Sequence, residues 1–238
     1  VVKADGYGHG DVPVAEAALE AGATRLAVAL VSEGIGLREA GIDAPIILLS
    51  EPLVEDAAEV IRWRLTPSVY RRFFLDALLA VAPAGYPVHV KVDTGMHRVG
   101  AVPDVALELA TAVAAGPLVL EGVWTHFPVS EEDSAFTAQQ VALLEGFLER
   151  LAARGVRPAL VHAANTAGAL GNPAARRDFV RLGIGLYGLR PAPGFAPEVV
   201  LRPAMRLLSR VVHLQRLPAG ARPSYGRRRA LAKESTVA

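Results

Sequence analysis

Six short stretches of this chain place reactive or anion-binding side chains beside glycines or at the ends of apolar runs. The first, Val1-Val2-Lys3-Ala4-Asp5-Gly6-Tyr7-Gly8-His9-Gly10, sets a lysine between Val2 and Ala4. An ammonium group is costly to bury in such surroundings unless it is paired or used, and condensation with an aldehyde cofactor is one such use. Glycines at 6, 8 and 10 allow a tight turn with exposed N–H groups, and Tyr7 adds a hydroxyl for an anion. An ordinary lysine at a strand end is the competing reading.

The second stretch, Val90-Lys91-Val92-Asp93-Thr94-Gly95-Met96-His97-Arg98, alternates Lys91 and Asp93 on one strand face and delivers Arg98 just beyond it. A core ion pair between Lys91 and Asp93 is one reading of that spacing, and a site on the strand end is the other. In Trp124-Thr125-His126-Phe127, His126 is either a packed or capping histidine or a site residue. Asn165 and Thr166, in His162-Ala163-Ala164-Asn165-Thr166-Ala167, fit a helix cap, which is compatible with phosphate binding at a helix start. Arg181 lies in the apolar run Val180-Arg181-Leu182-Gly183-Ile184-Gly185 and needs a specific partner there. Tyr225, in the turn Ser224-Tyr225-Gly226, reads from its surroundings as a surface or packing residue.

These groups are positioned by strand-like runs that alternate with helical patterns, the signature of βα units and a parallel sheet. Strands are expected at 1–3, 25–29, 45–49, 65–69, 87–93, 118–124, 159–162 and 179–184. Helices are expected at 13–21, 32–40, 56–62, 70–81, 103–114 and 134–153, with a shorter piece after Asn165. Eight such units favour a closed (β/α)8 TIM barrel over an open sheet, with active groups at the carboxyl ends of its strands. A dinucleotide-binding fold fits less well, because the glycines at 6, 8 and 10 lack the fingerprint spacing. Residues 1–188 are expected to form the barrel. Residues 189–238, opening on Arg190-Pro191-Ala192-Pro193-Gly194, read as a linker and the start of a β-rich domain. Both ends are abrupt, and the chain is expected to be part of a longer polypeptide.

Composition narrows the partners. Of 238 residues 25 are basic and 24 acidic, a formal net charge of +1, so bulk charge points to neither nucleic acid nor an anionic membrane. The absence of cysteine excludes disulfides, thiolate catalysis and cysteine metal sites within these residues, and no metal site is expected. Apolar residues make up 52%, yet no run reaches the length of a membrane span. A cytoplasmic location is expected.

The segment Val1–Gly10 resembles the pyridoxal phosphate lysine motif of the alanine racemase family. The segments around Asp93-Thr94-Gly95-Met96, His126, Asn165-Thr166, Arg181-Leu182-Gly183-Ile184-Gly185 and Ser224-Tyr225-Gly226 extend the resemblance in order along the chain. It implies a fold-type III enzyme that interconverts L- and D-alanine on pyridoxal 5'-phosphate, supplying D-alanine for peptidoglycan precursors. Lys3 would then be the attachment point and one acid/base catalyst. Tyr225, reaching the opposite active site of a homodimer, would be the other. Arg98 would anchor the substrate carboxylate, with Lys91, often carbamylated in the family, supporting it. His126 would lie near the cofactor ring and bond to the arginine below it, and Arg181 would face the pyridine nitrogen. Tyr7, Asn165, Thr166, Gly183 and Ile184 would hold the phosphate. His97 stands where many members carry glycine, and Thr166 where serine is common. A related amino-acid racemase such as one acting on serine, or an inactive cofactor-binding fragment, are the alternatives, and a nicotinamide oxidoreductase is a third.

Overall fold

The computed structural model describes residues 1–238. Seven short strands form where the apolar runs lie: β1 (Leu26–Val28), β2 (Ile46–Leu48), β3 (Leu65–Thr66), β4 (Ser68–Val69), β5 (Pro87–Lys91), β6 (Val119–Trp124) and β7 (Leu160–His162). β1 and β2 are buried along their whole length, as expected for parallel strands covered on both faces. Pairing is parallel throughout, β1-β2-β3 in one ladder and β4-β5-β6-β7 in the other. The expected strand at 65–69 is split at Pro67, which has no N–H for a ladder. Its carbonyl still accepts from the His89 N–H at 3.0 Å, so the break is one residue wide.

Hydrogen bonds outside the regular strands close the cylinder. Val2 N–H donates to the Ala27 carbonyl at 2.9 Å, and the Val1 nitrogen donates to the Leu182 carbonyl at 2.8 Å. On the other side Asp178 N–H reaches Val161 at 3.1 Å and Arg181 N–H reaches Ala164 at 3.0 Å. Eight segments therefore follow one another around a closed (β/α)8 barrel. The first and last are irregular rather than the full strands expected. The chain enters a left-handed turn after Lys3, and Ile184–Tyr187 is a 3-10 turn instead of a strand end.

Helices cover the barrel with one apolar stripe each. Phe74, Leu75 and Leu78 are fully buried on Arg72–Val81, and Leu144, Phe147 and Leu151 on Ser134–Ala153. Each such side chain contributes roughly 1.5–3 kcal/mol by leaving water. The 134–153 helix begins where Asp133 accepts the Phe136 N–H at 2.8 Å. Inside the barrel, by contrast, the buried residues include His89, Lys91, His162 and Arg181.

The barrel unit runs to Ala204, not to Gly188 as expected. Arg190 explains the extension, because its guanidinium donates to the carbonyls of Phe195, Ala196 and Val199, and Ala204 N–H donates to the Tyr187 carbonyl. Residues 205–238 form a second, small unit with one antiparallel pair, β8 (Gln215–Leu217) and β9 (Ser235–Val237). The β-rich run expected from 204 is otherwise unpaired, and Leu207, Leu208 and Val212 are exposed. No helix is long and apolar enough to cross a membrane.

Gly122 in β6 faces the His89 ring so closely that a Cβ there would sit 2.5 Å from Nδ1 and Cε1. Alanine normally stabilises a strand relative to glycine. Here Gly122→Ala is expected to lower stability by about 1–3 kcal/mol through overpacking, read as a lower urea midpoint; an unchanged or higher midpoint would contradict the contact.

Candidate active site

The barrel mouth is built first by an unusual turn. Ala4, Asp5, Gly6 and Tyr7 all adopt left-handed backbone angles, with φ between 52° and 58°. For the three non-glycine residues this costs on the order of 1–2 kcal/mol each. The turn is held by Gly6 N–H to the Val2 carbonyl at 2.9 Å and Gly10 N–H to the Asp5 carbonyl at 3.0 Å. The Glu33 carboxylate clamps it from the side, accepting Ala4 N–H at 2.6 Å together with Ala29 and Leu30 N–H at 2.7 and 2.9 Å. Strain of this kind survives only where the surroundings over-determine it, which is common at functional sites. Its effect is to place the Lys3 ammonium 5.0 Å from the centre of the Tyr7 ring. Tyr7 in turn leans on Tyr187, whose hydroxyl donates to the Val1 carbonyl at 3.0 Å.

Lys3, Lys91, Arg98 and Arg181 line one cavity of about 520 Å³, against a single carboxylate, Glu131. Asp93 does not neutralise Lys91, so the core ion pair read from their spacing is absent. Its carboxylate instead accepts the N–H groups of Gly95, Met96 and His97 at 2.9, 3.0 and 3.1 Å, shaping the loop that carries Arg98. His97 there takes φ 53°, a conformation glycine reaches more cheaply. Burial, with Arg181 and Arg98 nearby, pushes the Lys91 ammonium down to about 7. Its nitrogen lies 4.2 Å from the centre of the Trp124 ring. A pocket with this charge balance suits an anionic ligand.

Arg181 is buried and bonded only to neutral acceptors. Its Nη1 donates to His162 Nδ1 at 2.7 Å, and Nη2 serves the Thr125 and Ala163 carbonyls at 2.7 and 2.8 Å and His126 Nδ1 at 3.1 Å. Its Nε–H is buried without any acceptor. Burial lowers the guanidinium to about 9, which leaves it charged at neutral pH. Arginine only donates, so both histidines must present a bare Nδ1. Burial first, and Arg181 second, push His126 down to about 2 and His162 well below its usual range. His162 was not singled out from the sequence as a site residue, nor was Glu33.

Opposite the arginine, Thr166 Oγ1 accepts the N–H groups of Gly183 and Gly185 at 3.1 and 3.2 Å. A Cβ at Gly183 would lie 2.9 Å from the Tyr7 hydroxyl, and one at Gly185 would lie 2.6 Å from Thr166 Cγ2. Only glycine lets these three segments converge, with Ile184 beside them in the cavity wall. Asn165 lines the same cavity, and its amide also serves structure. Its Oδ1 accepts from Gly168 N–H and Ser130 Oγ at 2.9 Å each, and its Nδ2 donates to the Phe127 carbonyl. The side chain is thus a helix cap, a reading compatible with a cofactor contact at the same position. Tyr225 belongs to the 205–238 unit and is fully exposed.

A histidine held neutral below 6.5 takes its proton first in the unfolded chain, so stability is full above about 6.5 and falls as the pH drops. Each such histidine withdraws on the order of 1.4 kcal/mol per pH unit below that point. His126 and His162 together predict a loss of a few kcal/mol between pH 7.5 and 5.0, above the range in which carboxylates titrate. Urea unfolding at the two pH values measures it, and equal stability would contradict neutral burial.

Residues 1–191 match the family model described as alanine racemase, N-terminal domain. The alanine racemase of Treponema denticola is 40% identical over 245 residues, covering 100% of this chain and 65% of that protein. That of Geobacillus stearothermophilus is 42% identical over 233 residues, covering 95% of this chain and 59% of its own length. The crystal structure of alanine racemase from E. faecalis aligns with a TM-score of 0.89 at 36% identity, over 99% of this chain and 65% of that one. A Bacillus anthracis alanine racemase, at TM-score 0.86 and 33% identity over 99% of this chain and 63% of that one, has been solved with bound L-Ala-P. The chain spans just under two thirds of the length of the relatives it matches most extensively. Family model, sequence and structure agree, and the chain belongs to the alanine racemase family.

Proposed function

We propose that this chain is the barrel portion of a pyridoxal 5'-phosphate-dependent enzyme that interconverts L- and D-alanine by two-base proton transfer at the α-carbon. The observation that carries the reading is the buried Arg181 Nε–H, which has no acceptor in the protein, on a residue that lines the cavity together with Lys3. A buried donor without a partner costs about 1–3 kcal/mol, and a ring nitrogen is an acceptor of the right kind. The glycine-lined meeting point of Tyr7, Thr166, Gly183 and Ile184 suits the phosphate, and Lys3, Arg98 and Arg181 outweigh Glu131 enough to receive it.

When bound, the cofactor supplies an aldehyde for covalent attachment and a conjugated ring that delocalises charge from the α-carbon. Every other task falls to the chain. Arg181 keeps its proton and acts as a hydrogen-bond donor, which makes the ring a restrained electron sink and favours return of the proton over other outcomes. Arg98, on the loop shaped by Asp93, presents a fork of donors suited to the substrate carboxylate. Lys91, pushed down to about 7 and making no ion pair, is suited to carbamylation. Its nitrogen would bond to carbon dioxide and release a proton, leaving a carboxylate to orient Arg98. Lys3 exchanges the proton on one face of the α-carbon, and Tyr225 of a second copy does so on the other, which calls for a homodimer. The exposure of Tyr225 is consistent with that use. Alanine as substrate follows from the family and from the L-Ala-P bound by the B. anthracis relative. A cytoplasmic location is part of the same proposal.

The test is α-proton exchange of L- and D-alanine in D₂O with the full-length protein saturated in pyridoxal phosphate. Exchange of both isomers is expected, and exchange of neither would overturn the reading. Tyr225→Phe should retain the cofactor while slowing racemisation on the order of 10²–10⁴-fold, the usual contribution of a positioned acid or base. The loss should be unequal in the two directions, and an undiminished rate would remove Tyr225 from the mechanism.

A further inference from the structure

Behind Arg181 the interior of the barrel carries a line of polar groups that the proposed chemistry does not use. Arg181 Nη1 meets His162 Nδ1 at 2.7 Å, His162 Nε2 meets His89 Nδ1 at 2.9 Å, His89 Nε2 meets Glu121 Oε2 at 2.9 Å, and Glu121 Oε1 meets Arg25 at 3.0 Å. Both imidazoles are completely buried, while the Glu121 side chain is 21% exposed. Arg25 immediately precedes β1 and Glu121 lies in the first half of β6. The line thus runs from the amino-terminal side of the strands up to the guanidinium at the mouth.

Its hydrogen bonds admit one direction. Arg181 can only donate, so His162 Nδ1 accepts and its proton sits on Nε2. That proton is donated to His89 Nδ1, which leaves the His89 proton on Nε2, facing Glu121. An ionised carboxylate only accepts, so the last link closes the sequence. The hydrogen bond from His89 and the charge of Arg25 both favour the ionised form of Glu121. Packing holds the rings in place. His162 is stacked between Trp124 and Phe179, at 5.4 and 4.2 Å between ring centres, and Gly122 vacates the space that His89 fills.

We propose that Glu121 is a positioning residue for Arg181, acting through His89 and His162 by fixing both imidazole tautomers so that the guanidinium keeps Nη1 on His162 and Nε–H free for the cavity. Reversal of either ring would set an N–H against an N–H and push the guanidinium off its acceptors. The proposal rests on the reading of Arg181 as the residue facing the bound ring.

The test reads the ring nitrogens directly, by long-range proton–nitrogen NMR of the ¹⁵N-labelled holoprotein. In the unaltered protein both His89 and His162 should carry one proton, on Nε2, at pH 7. A proton on Nδ1 of either ring, or on both nitrogens, overturns the proposal without any variant being needed. Glu121→Leu should convert part or all of His89 to the Nδ1–H form and lower kcat roughly tenfold, the worth of one hydrogen bond, with little change in KM. Glu121→Gln, whose Oε1 still accepts, should restore both the tautomers and the rate. Unchanged tautomers in Glu121→Leu, or a Gln variant as impaired as the Leu variant, would overturn it. If the tautomers respond as stated while alanine undergoes no exchange even in the unaltered protein, the line of bonds stands and the alanine reading fails.

Discussion

A guanidinium buried to 5% exposure and surrounded only by neutral acceptors is the constraint on which the barrel interior depends. Burial of an unpaired charge is costly unless its donors are hydrogen-bonded, and both Nη1 and Nη2 of Arg181 are bonded, to two imidazoles and two carbonyls between them. The consequences spread outward. His126 and His162 must be neutral, their protons are confined to Nε2, and a glycine must stand at 122 to admit the next ring. The Nε–H, which no protein group accepts, points the site's chemistry toward an acceptor that is not protein.

Closure of the cylinder brings the second essential group to the same place. Val1 and Val2 bridge the segments at 26–28 and 178–182, so Lys3 and Arg181 emerge from neighbouring positions of one mouth. The left-handed turn that follows then aims Tyr7 back over Lys3 toward Gly183. Glu33 offsets part of its strain by receiving three backbone N–H groups. A regular helix start after Lys3 would carry Tyr7 elsewhere.

Most of the barrel was legible because parallel strands buried on both faces read as unbroken apolar runs, and the helix at 134–153 has the bounds its pattern indicated. The irregular first and last segments were not, since their shape is set by glycines and by long-range closure rather than local pattern. Lys3, Arg98 and Thr166 stood out as polar residues at or just beyond strand ends and Arg181 as a charge inside an apolar run, and they share one cavity. His89, His162 and Glu121 did not stand out, because a histidine in an apolar strand gives no sign of which neighbour it faces. The role of Asn165 was ambiguous for a related reason: a cap and a ligand contact use the same amide. The unit boundary moved because Arg190 ties the expected linker to itself through carbonyls that no sequence pattern marks.

Two lysines border the cavity, and the account requires the chemistry to select between them. Lys91 is held near neutrality, at about 7, yet lies almost wholly buried beside Trp124, whereas Lys3 stands at the strained turn beside Tyr7. Borohydride reduction of the cofactor-saturated full-length protein, followed by peptide mass mapping, makes any covalent link permanent and locates it. A pyridoxyl group on Lys3 is the result this account predicts; the group on Lys91, on another side chain, or on none would contradict it.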